Sequence, residues 1–532
     1  MGASLILAAI LLLMQLTTSI HGIQKLSTSN TTETRLQSAS KTISSFPLPP
    51  ELCERLVGDE HLHRRHEQTS ELDRLDREYA LTSDVLRTGF VPGELKIELL
   101  RKLATSEPVT ILTLGGSFTR GHGCGETPEQ DERYCAWPAR LERWWKAYLT
   151  PGVLSHWIHA AEHGAGSVSA LQRIGVMVHA LARKPDLVIL DFLVNDAFQG
   201  EDATVGYESL IRAIQDLLPT AQIFLLEAGC QNCLKDKRVI QRRRQVALHY
   251  GIPTIDYAAM VQVHNKVDGV GPDVLWPNSG DPQMDPPYVV VGSAWPDFVP
   301  SCNATMATCC PNNHPPWPVH QLVSDSIAFG LVQILKKKGC SRGQQPIIQE
   351  PFHTQGELDA FPVCKKPLLW HDALAAMARN GTTSHDPITD GGKWRLYEDK
   401  PGRPGWITTE QGSTITFPIE FGAQPILAVT YLRSYDHLGV AEVRFTAKSG
   451  NSGTVHLNGI WDKNYSLPNT AFFIDREDGI HGDLLGSALA SDGYNPYDGG
   501  WKDGSGGNGK YYNVSISLVR GEKFKILQVI SC

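Results

Sequence analysis

Four short segments hold residue types that together can carry out nucleophilic acyl transfer. In LTLGGSFTRG an apolar run passes straight into Gly115, Gly116 and Ser117, followed by Thr119 and Gly121. A serine on a tight strand-to-helix turn projects its hydroxyl above the carboxyl edge of a sheet, where open α/β folds bind ligands. Alone, Gly-Gly-Ser after a strand fits a phosphate-binding turn equally well. EHGAGS at 162–167 follows the run HWIHA and supplies Gly164, whose backbone N–H can face a developing oxyanion because no side chain blocks approach. LVILDFLVND ends a predicted strand at Asn195 and Asp196, which places an amide side chain beside the same edge. NNHPPWPVHQLVSD holds His314 on a loop just before a long helix. A hydroxyl is a poor nucleophile until a base takes its proton, and an imidazole titrating near neutrality can take that proton and return it to a leaving alcohol. Each segment has a plain reading as a turn, a strand end or a loop histidine; their combination and order point to catalysis.

Taken in order as a Ser block, a Gly block, an Asn-Asp block and a His block, these segments resemble the SGNH/GDSL esterase and lipase family over roughly residues 105–340. The resemblance implies a flavodoxin-like three-layer α/β/α hydrolase domain with a parallel sheet, working through an acyl-enzyme without metal or cofactor. It implies Ser117 as nucleophile, His314 as general base, and an oxyanion hole made by the Ser117 and Gly164 backbone amides with the Asn195 side chain. His320, six positions after His314, matches a second histidine with a structural role. Three positions depart from the family pattern: Gly116 stands where Asp is usual, Glu162 where Asn is more common, and Pro311 where an Asp three residues before the histidine is expected. The last departure leaves the partner of His314 open between Asp297, Asp285 and a backbone carbonyl. By analogy the substrate is an ester, an O-acyl and above all O-acetyl group of a polysaccharide or glycan. Two alternatives stand beside this one: a catalytically silent glycan-binding or cell-surface protein on the same scaffold, which Pro311 favours, and an O-acyltransferase.

The elements that must position these residues are legible as alternating patterns. VTILTLGG at 109–116, DLVILDFLVND at 186–196, AQIFLLEAG at 221–229 and GIPTIDY at 251–257 read as buried parallel strands. Between them lie helical stretches at 135–149, 167–183 and 205–218, and a last helix at 320–339 closes the unit. Strand alternating with helix gives a parallel sheet covered on both faces. Trp137, Trp144 and Trp145 are assigned to its core. From Glu51 to about Leu103 the pattern is charged and helical, with Leu72, Leu75 and Leu81 near helical spacing. Beyond about Gln345 come short alternating runs, STITFPIEF, ILAVTYLRS, AEVRFTAK, GTVHLNGIW, YYNVSISLV and FKILQVISC, which predict an antiparallel β-sandwich-like domain. The boundaries follow: a signal peptide at 1–22, a Ser/Thr-rich leader at 23–50, the α/β domain at 51–344, a linker at 345–390 and the β-rich domain at 391–532. In the last, a Gly- and aromatic-rich stretch carries Tyr494, Tyr497 and Trp501, read as a surface loop with sugar stacking as the sharper alternative.

Composition narrows the classes. The 532 residues exceed what one core organises, so two or three units are expected. With 41% hydrophobic and 20% charged residues the chain is of ordinary globular composition. Lys+Arg 49 against Asp+Glu 57 leaves a net charge of −8, which gives no basic stripe for nucleic acid. The apolar run Leu5–Met14 suits a signal-peptide core better than a spanning helix, so secretion without stable membrane insertion is expected, with an uncleaved anchor as the alternative. In an exported chain the 11 cysteines read as disulfides, with one thiol left over. Cys230 and Cys233 have CxxC spacing, but no second pair completes a zinc site. Sequons at Asn30, Asn303, Asn380, Asn464 and Asn513 agree with this route.

Overall fold

The structure, a computed structural model, describes residues 48–64, 81–122, 124, 132–229, 237–260, 263, 317–340, 350–359, 361–378, 386–391, 393–399, 403–422, 426–435, 437–447, 452–461, 466–476, 479–482 and 510–532. The signal segment, residues 23–47 of the leader, Leu72, Leu75, His314, Asp285, Asp297, Cys230, Cys233, Tyr494, Tyr497 and Trp501 lie outside these residues, while Leu48 at the end of the leader is buried in the core of the α/β domain.

The α/β domain is built on six strands: β1 (Phe90–Val91), β2 (Val109–Gly115), β3 (Ser155–His159), β4 (Leu187–Asp191), β5 (Gln222–Leu226) and β6 (Thr254–Ile255). Their spatial order is β1-β6-β5-β4-β2-β3, parallel throughout except for β1, which adds antiparallel to β6. β2, β4 and β5 are buried along their whole length, which is why they read as unbroken apolar runs. Read from β2, the parallel order 2-1-3-4-5 is the flavodoxin-like one, and the direction of winding reverses between β2 and β4. Open α/β sheets bind ligands outside the carboxyl ends of the strands at such a reversal, and β2 runs there directly into Ser117.

Helices cover both faces. One layer includes Trp137–Trp144 and Trp317–Ile334, with Trp137, Trp144 and Trp145 all buried as expected. The other includes Ser167–Ala180 and Asp202–Leu217. The charged N-terminal stretch forms Pro50–Gly58, Ser83–Gly89 and Ile97–Ala104, and a Cys53–Cys340 disulfide ties its start to the end of the α/β domain. Among the described residues no helix is long and apolar enough to cross a membrane.

The C-terminal strands form two antiparallel sheets. One runs in the order β16 (Gly479–Gly482), β15 (Leu467–Arg476), β12 (Ile426–Arg433), β18 (Phe524–Ser531), β10 (Pro404–Thr408) and β9 (Arg395–Glu398), with β7 (Leu369–Asp372) also paired to β18. The other runs β14 (Ser452–Asn458), β13 (Val440–Ala447), β17 (Lys510–Arg520), β11 (Thr414–Phe421) and β8 (Ile388–Thr389). Strict alternation of buried and half-buried positions along β11 is what a strand between core and solvent dictates. β7 and β8 fall within the stretch 345–390 read as a linker, and both pair with strands of this domain. Asn513 is exposed on β17.

The two units share apolar packing. Ile426, Ala428, Phe472 and Ile530 of the β-sheet pack in one cluster with Val168, Leu171 and Ile174 of the helix Ser167–Ala180. Cys364 and Cys532 form a disulfide in the same region, and Gly175 passes so close that an added Cβ would stand 2.0 Å from the Cys364 carbonyl oxygen.

Candidate active site

Ser117 opens a single helical turn, Ser117–Arg120, directly after β2, and is 7% exposed. The turn is closed by Gly121 in the left-handed conformation, φ 93°, whose N–H returns to the Ser117 and Phe118 carbonyls. Both preceding glycines are dictated by close approach. An added Cβ on Gly115 would stand 2.0 Å from Thr119 Oγ1, and one on Gly116 would stand 2.2 Å from Asn195 Nδ2. The Gly116 that departs from the family pattern is thus the position against which the Asn195 amide packs.

β4 stops at Asp191, in register with Gly115, and the chain re-enters a helix at Leu193–Gln199. Asn195 and Asp196 therefore sit in the first turn of a helix, and not at a strand end as the sequence suggests: the apolar run FLV continues across the boundary, so periodicity does not mark it. The consequence for placement is small. Asn195 is 5% exposed and its Nδ2 donates to the Ala165 carbonyl at 2.6 Å. A primary amide carries two N–H donors, so this bond orients the group and leaves the second donor for another acceptor.

Gly164 lies in the turn between β3 and the helix Ser167–Ala180, with φ 75°. The loop leaves the sheet still bonded to β2, with Glu162 N–H donating to the Gly115 carbonyl at 3.0 Å, and Ala165 N–H donating back to Glu162 at 3.2 Å. Glu162, the second departure from the pattern, pairs through its side chain with Arg173. The structure thus brings Ser117, Asn195 and the Gly164 loop together at the reversal point of the sheet. His314 falls outside the described residues, so its position relative to Ser117 is not part of this geometry. His320 is fully buried, stacks on Phe118 with ring centroids 4.7 Å apart, and accepts from the Trp137 N–H at 3.2 Å, a structural placement beneath the Ser117 turn.

Residues 113–279 match the model of the GDSL-like Lipase/Acylhydrolase family. The matched stretch lies within the α/β domain and takes in the Ser117, Gly164 and Asn195 segments. The whole chain also has structural likenesses. A two-domain esterase active on acetylated mannans, co-crystallised with mannopentaose, aligns with a TM-score of 0.51 at 16% identity, covering 84% of this chain and 97% of its own. The same esterase without the sugar gives the same TM-score and identity, with 98% of its chain covered. AlinE4, an SGNH-hydrolase family esterase, aligns over 37% of this chain and 98% of its own at 19% identity, with a TM-score of 0.26. A comparison with curated protein sequences finds no match.

The α/β domain holds three groups behind the site that its sequence does not announce. The first is a buried ion network. Asp196 Oδ1 accepts from the Ser167 N–H at 2.8 Å and so caps the helix that carries the Gly164 loop, while Oδ2 pairs with Arg243. Arg243 is fully buried, reaches Glu227 through Nε at 2.8 Å and Nη2 at 3.0 Å, and lies 3.7 Å over the Tyr207 ring. Desolvation works against the guanidinium charge, and Glu227, Tyr207 and Asp196 outweigh it, so its pKa lies above the ordinary arginine value. Burial lifts the Asp196 carboxyl to about 6, with Arg243 and the Ser167 amide pulling it back down. The signal that could have found Arg243 is its spacing: it stands four residues after Val239 and three before Val246 on the buried face of its helix. The second group is the pair His122 and His163, edge to face with centroids 4.9 Å apart, one following the Ser117 turn and the other preceding Gly164.

The third group is Asp191, which accepts from Thr119 Oγ1 at 2.6 Å and braces the Ser117 turn from below. Its burial raises the carboxyl from 3.8 to about 7, against the opposing hydrogen bond from Thr119. A carboxyl that holds its proton more tightly folded than unfolded contributes stability below about pH 4 that is withdrawn as the pH rises to about 7. Asp191→Asn keeps an acceptor for Thr119 and removes this titration. The drop in unfolding midpoint between about pH 5 and about pH 8 is therefore expected to be smaller in the variant than in the parent. Equal drops in the two proteins would mean that Asp191 is already ionised at the lower pH.

Proposed function

We propose that this protein is a secreted serine esterase that removes O-acetyl groups from a polysaccharide or glycan. Ser117 Oγ attacks the acyl carbon while His314 takes its proton; the tetrahedral oxyanion is held by the Ser117 and Gly164 backbone amides and the Asn195 side chain. Collapse of this intermediate expels the sugar hydroxyl, which recovers the proton from His314, and water then releases acetate from Ser117 by the same steps in reverse order of roles. The observation that carries this reading is the approach of Asn195 Nδ2 to Gly116 across the reversal between β2 and β4, which sets an oriented amide donor beside the only serine on that turn.

The match of residues 113–279 to a family of lipases and acylhydrolases supports ester chemistry. The substrate class is supported by the two-domain likeness, because the aligned esterase acts on acetylated mannans and its alignment spans both units of this chain. The apolar run near the N-terminus supports export. The test treats the secreted protein with a p-nitrophenyl phosphonate and with acetylated mannan. One phosphonate adduct, on Ser117, with release of free acetate is the expected result. No adduct and no acetate would make the protein a silent scaffold, and transfer of acetyl to an added sugar alcohol in place of water would make it an acyltransferase.

A further inference from the structure

We infer that the C-terminal β-domain is a working part of the oxyanion site, with Pro468 as the residue that positions Gly164. This rests on the reading of Gly164 as an oxyanion donor and goes beyond it, because it gives the second domain a role in the chemical step.

Three observations carry it. Pro468, on β15 of the C-terminal domain, lies directly against the Gly164 turn: an added Cβ on Gly164 would meet Pro468 Cδ at 2.6 Å and Cγ at 3.4 Å. Gly164 has φ 75°, a conformation side-chain-bearing residues rarely adopt, so the turn is restricted to glycine by its backbone and again by the proline that covers it. The helix following the turn is also gripped by the same sheet. Gln172 is 1% exposed, and its Oε1 accepts from Thr430 Oγ1 on β12 and from Thr470 Oγ1 on β15, the latter at 3.1 Å. The two hydroxyls are themselves 3.0 Å apart. Finally, the face between the units is not closed: Ala165, Arg120 and His163 on one side and Pro468, Ser466 and Tyr435 on the other line a cavity of about 180 Å³. The sheet that braces the Gly164 turn is therefore also a wall of the space that opens beside it.

A glycine turn is the least restrained kind of backbone, and an oxyanion donor works only if it is fixed before the charge appears. A proline ring is rigid and brings no competing N–H, so it can press on the turn without offering a hydrogen bond that would redirect it. A displacement of about 1 Å in a catalytic group can cost on the order of 100-fold in rate.

The experiment compares the full chain with Pro468→Ala and with the double variant Thr430→Val, Thr470→Val. The substrate is p-nitrophenyl acetate, whose two-carbon acyl group and lack of sugar give a glycan-binding surface nothing to hold. Thermal unfolding and hydrogen exchange at residues 161–166 are measured in parallel. Expected are a fall in kcat of about tenfold or more with KM nearly unchanged, and faster exchange in the 161–166 segment, in variants that still unfold cooperatively. Unchanged kcat with weakened action on acetylated mannan alone would overturn the inference and make the β-domain a binding module. Unchanged kcat with a lowered midpoint would overturn it in favour of a purely stabilising contact. A parent that neither hydrolyses the ester nor takes a phosphonate on Ser117 removes the esterase reading and this inference with it; an active, Ser117-labelled parent with unaffected variants removes only the inference.

Discussion

Ser117→Ala is expected to lower kcat for p-nitrophenyl acetate by on the order of 10⁴-fold or more while leaving the fold intact. The size follows from what the hydroxyl does: without it no acyl-enzyme forms, and only the weak catalysis of a site that binds and polarises the ester remains. Ser117 sits on a turn whose geometry is set by Gly115, Gly116 and Gly121 and by the Thr119 to Asp191 bond, none of which involves its side chain, so removing one oxygen leaves the scaffold unstrained. Asn195→Ala belongs to the same experiment with a smaller expected loss, about 100- to 1,000-fold in kcat, the usual cost of one oxyanion donor. The bond from Asn195 to Ala165 adds a consequence, because the truncated variant also loses what ties that helix to the Gly164 loop. Parent-like kcat in Ser117→Ala would show that ester cleavage in this protein does not pass through Ser117.

The parts of the molecule that were legible in the sequence are those where local pattern and tertiary environment agree. β2, β4 and β5 are buried on both faces, and a strand in that environment has to be continuously apolar, so VTILTLG, LVILD and QIFLL stand out. β11 separates core from solvent and alternates accordingly, so STITFPIEF becomes Thr414–Phe421; FKILQVISC becomes Phe524–Ser531, which is buried at every position but Leu527 because Ile530 joins the cluster of the α/β helices while Phe524, Ile526 and Val529 fill the β-domain core. The Ser and Gly blocks stood out because glycine spacing is a local feature; the Asn-Asp block stood out by residue type alone, since the strand ends at Asp191 and the apolar run hides the change to helix. What was not legible depends on contacts between distant segments. The two-residue β1 is too short to carry a pattern, and becomes a strand only by pairing with β6. Pro468 lies some 300 residues from Gly164, and nothing in SLPN marks it as the cover of a turn. Arg243 stands in RRR, a run whose composition suggests a solvated face, and its spacing from Val239 and Val246 is the one sign in the sequence of which arginine turns inward.

That arginine carries the second large effect. Arg243→Met is expected to destabilise the protein by about 3–5 kcal/mol and to lower kcat in whatever fraction remains folded. A methionine fills part of the volume but leaves Asp196 and Glu227 buried without the cation that faces both, and breaking one side of a buried ion network costs far more than the network contributes as a whole. The loss reaches the chemistry through Asp196, which caps the helix Ser167–Ala180, is the neighbour of Asn195 and packs over Gly166 so closely that an added Cβ there would stand 2.7 Å from its Oδ1. The pH dependence separates this account from a simple packing defect. Removing the cation raises the Asp196 carboxyl pKa further in the folded state, so the variant takes up a proton on folding and its stability deficit is expected to shrink as the pH falls from about 8 to about 5. Arg243→Lys keeps the charge without the fork that reaches both carboxylates, and is expected to recover part of the stability and less of the kcat. A deficit that is the same at both pH values, with kcat unchanged in the folded protein, would mean that the network holds up the interior and has no hand in setting Asn195.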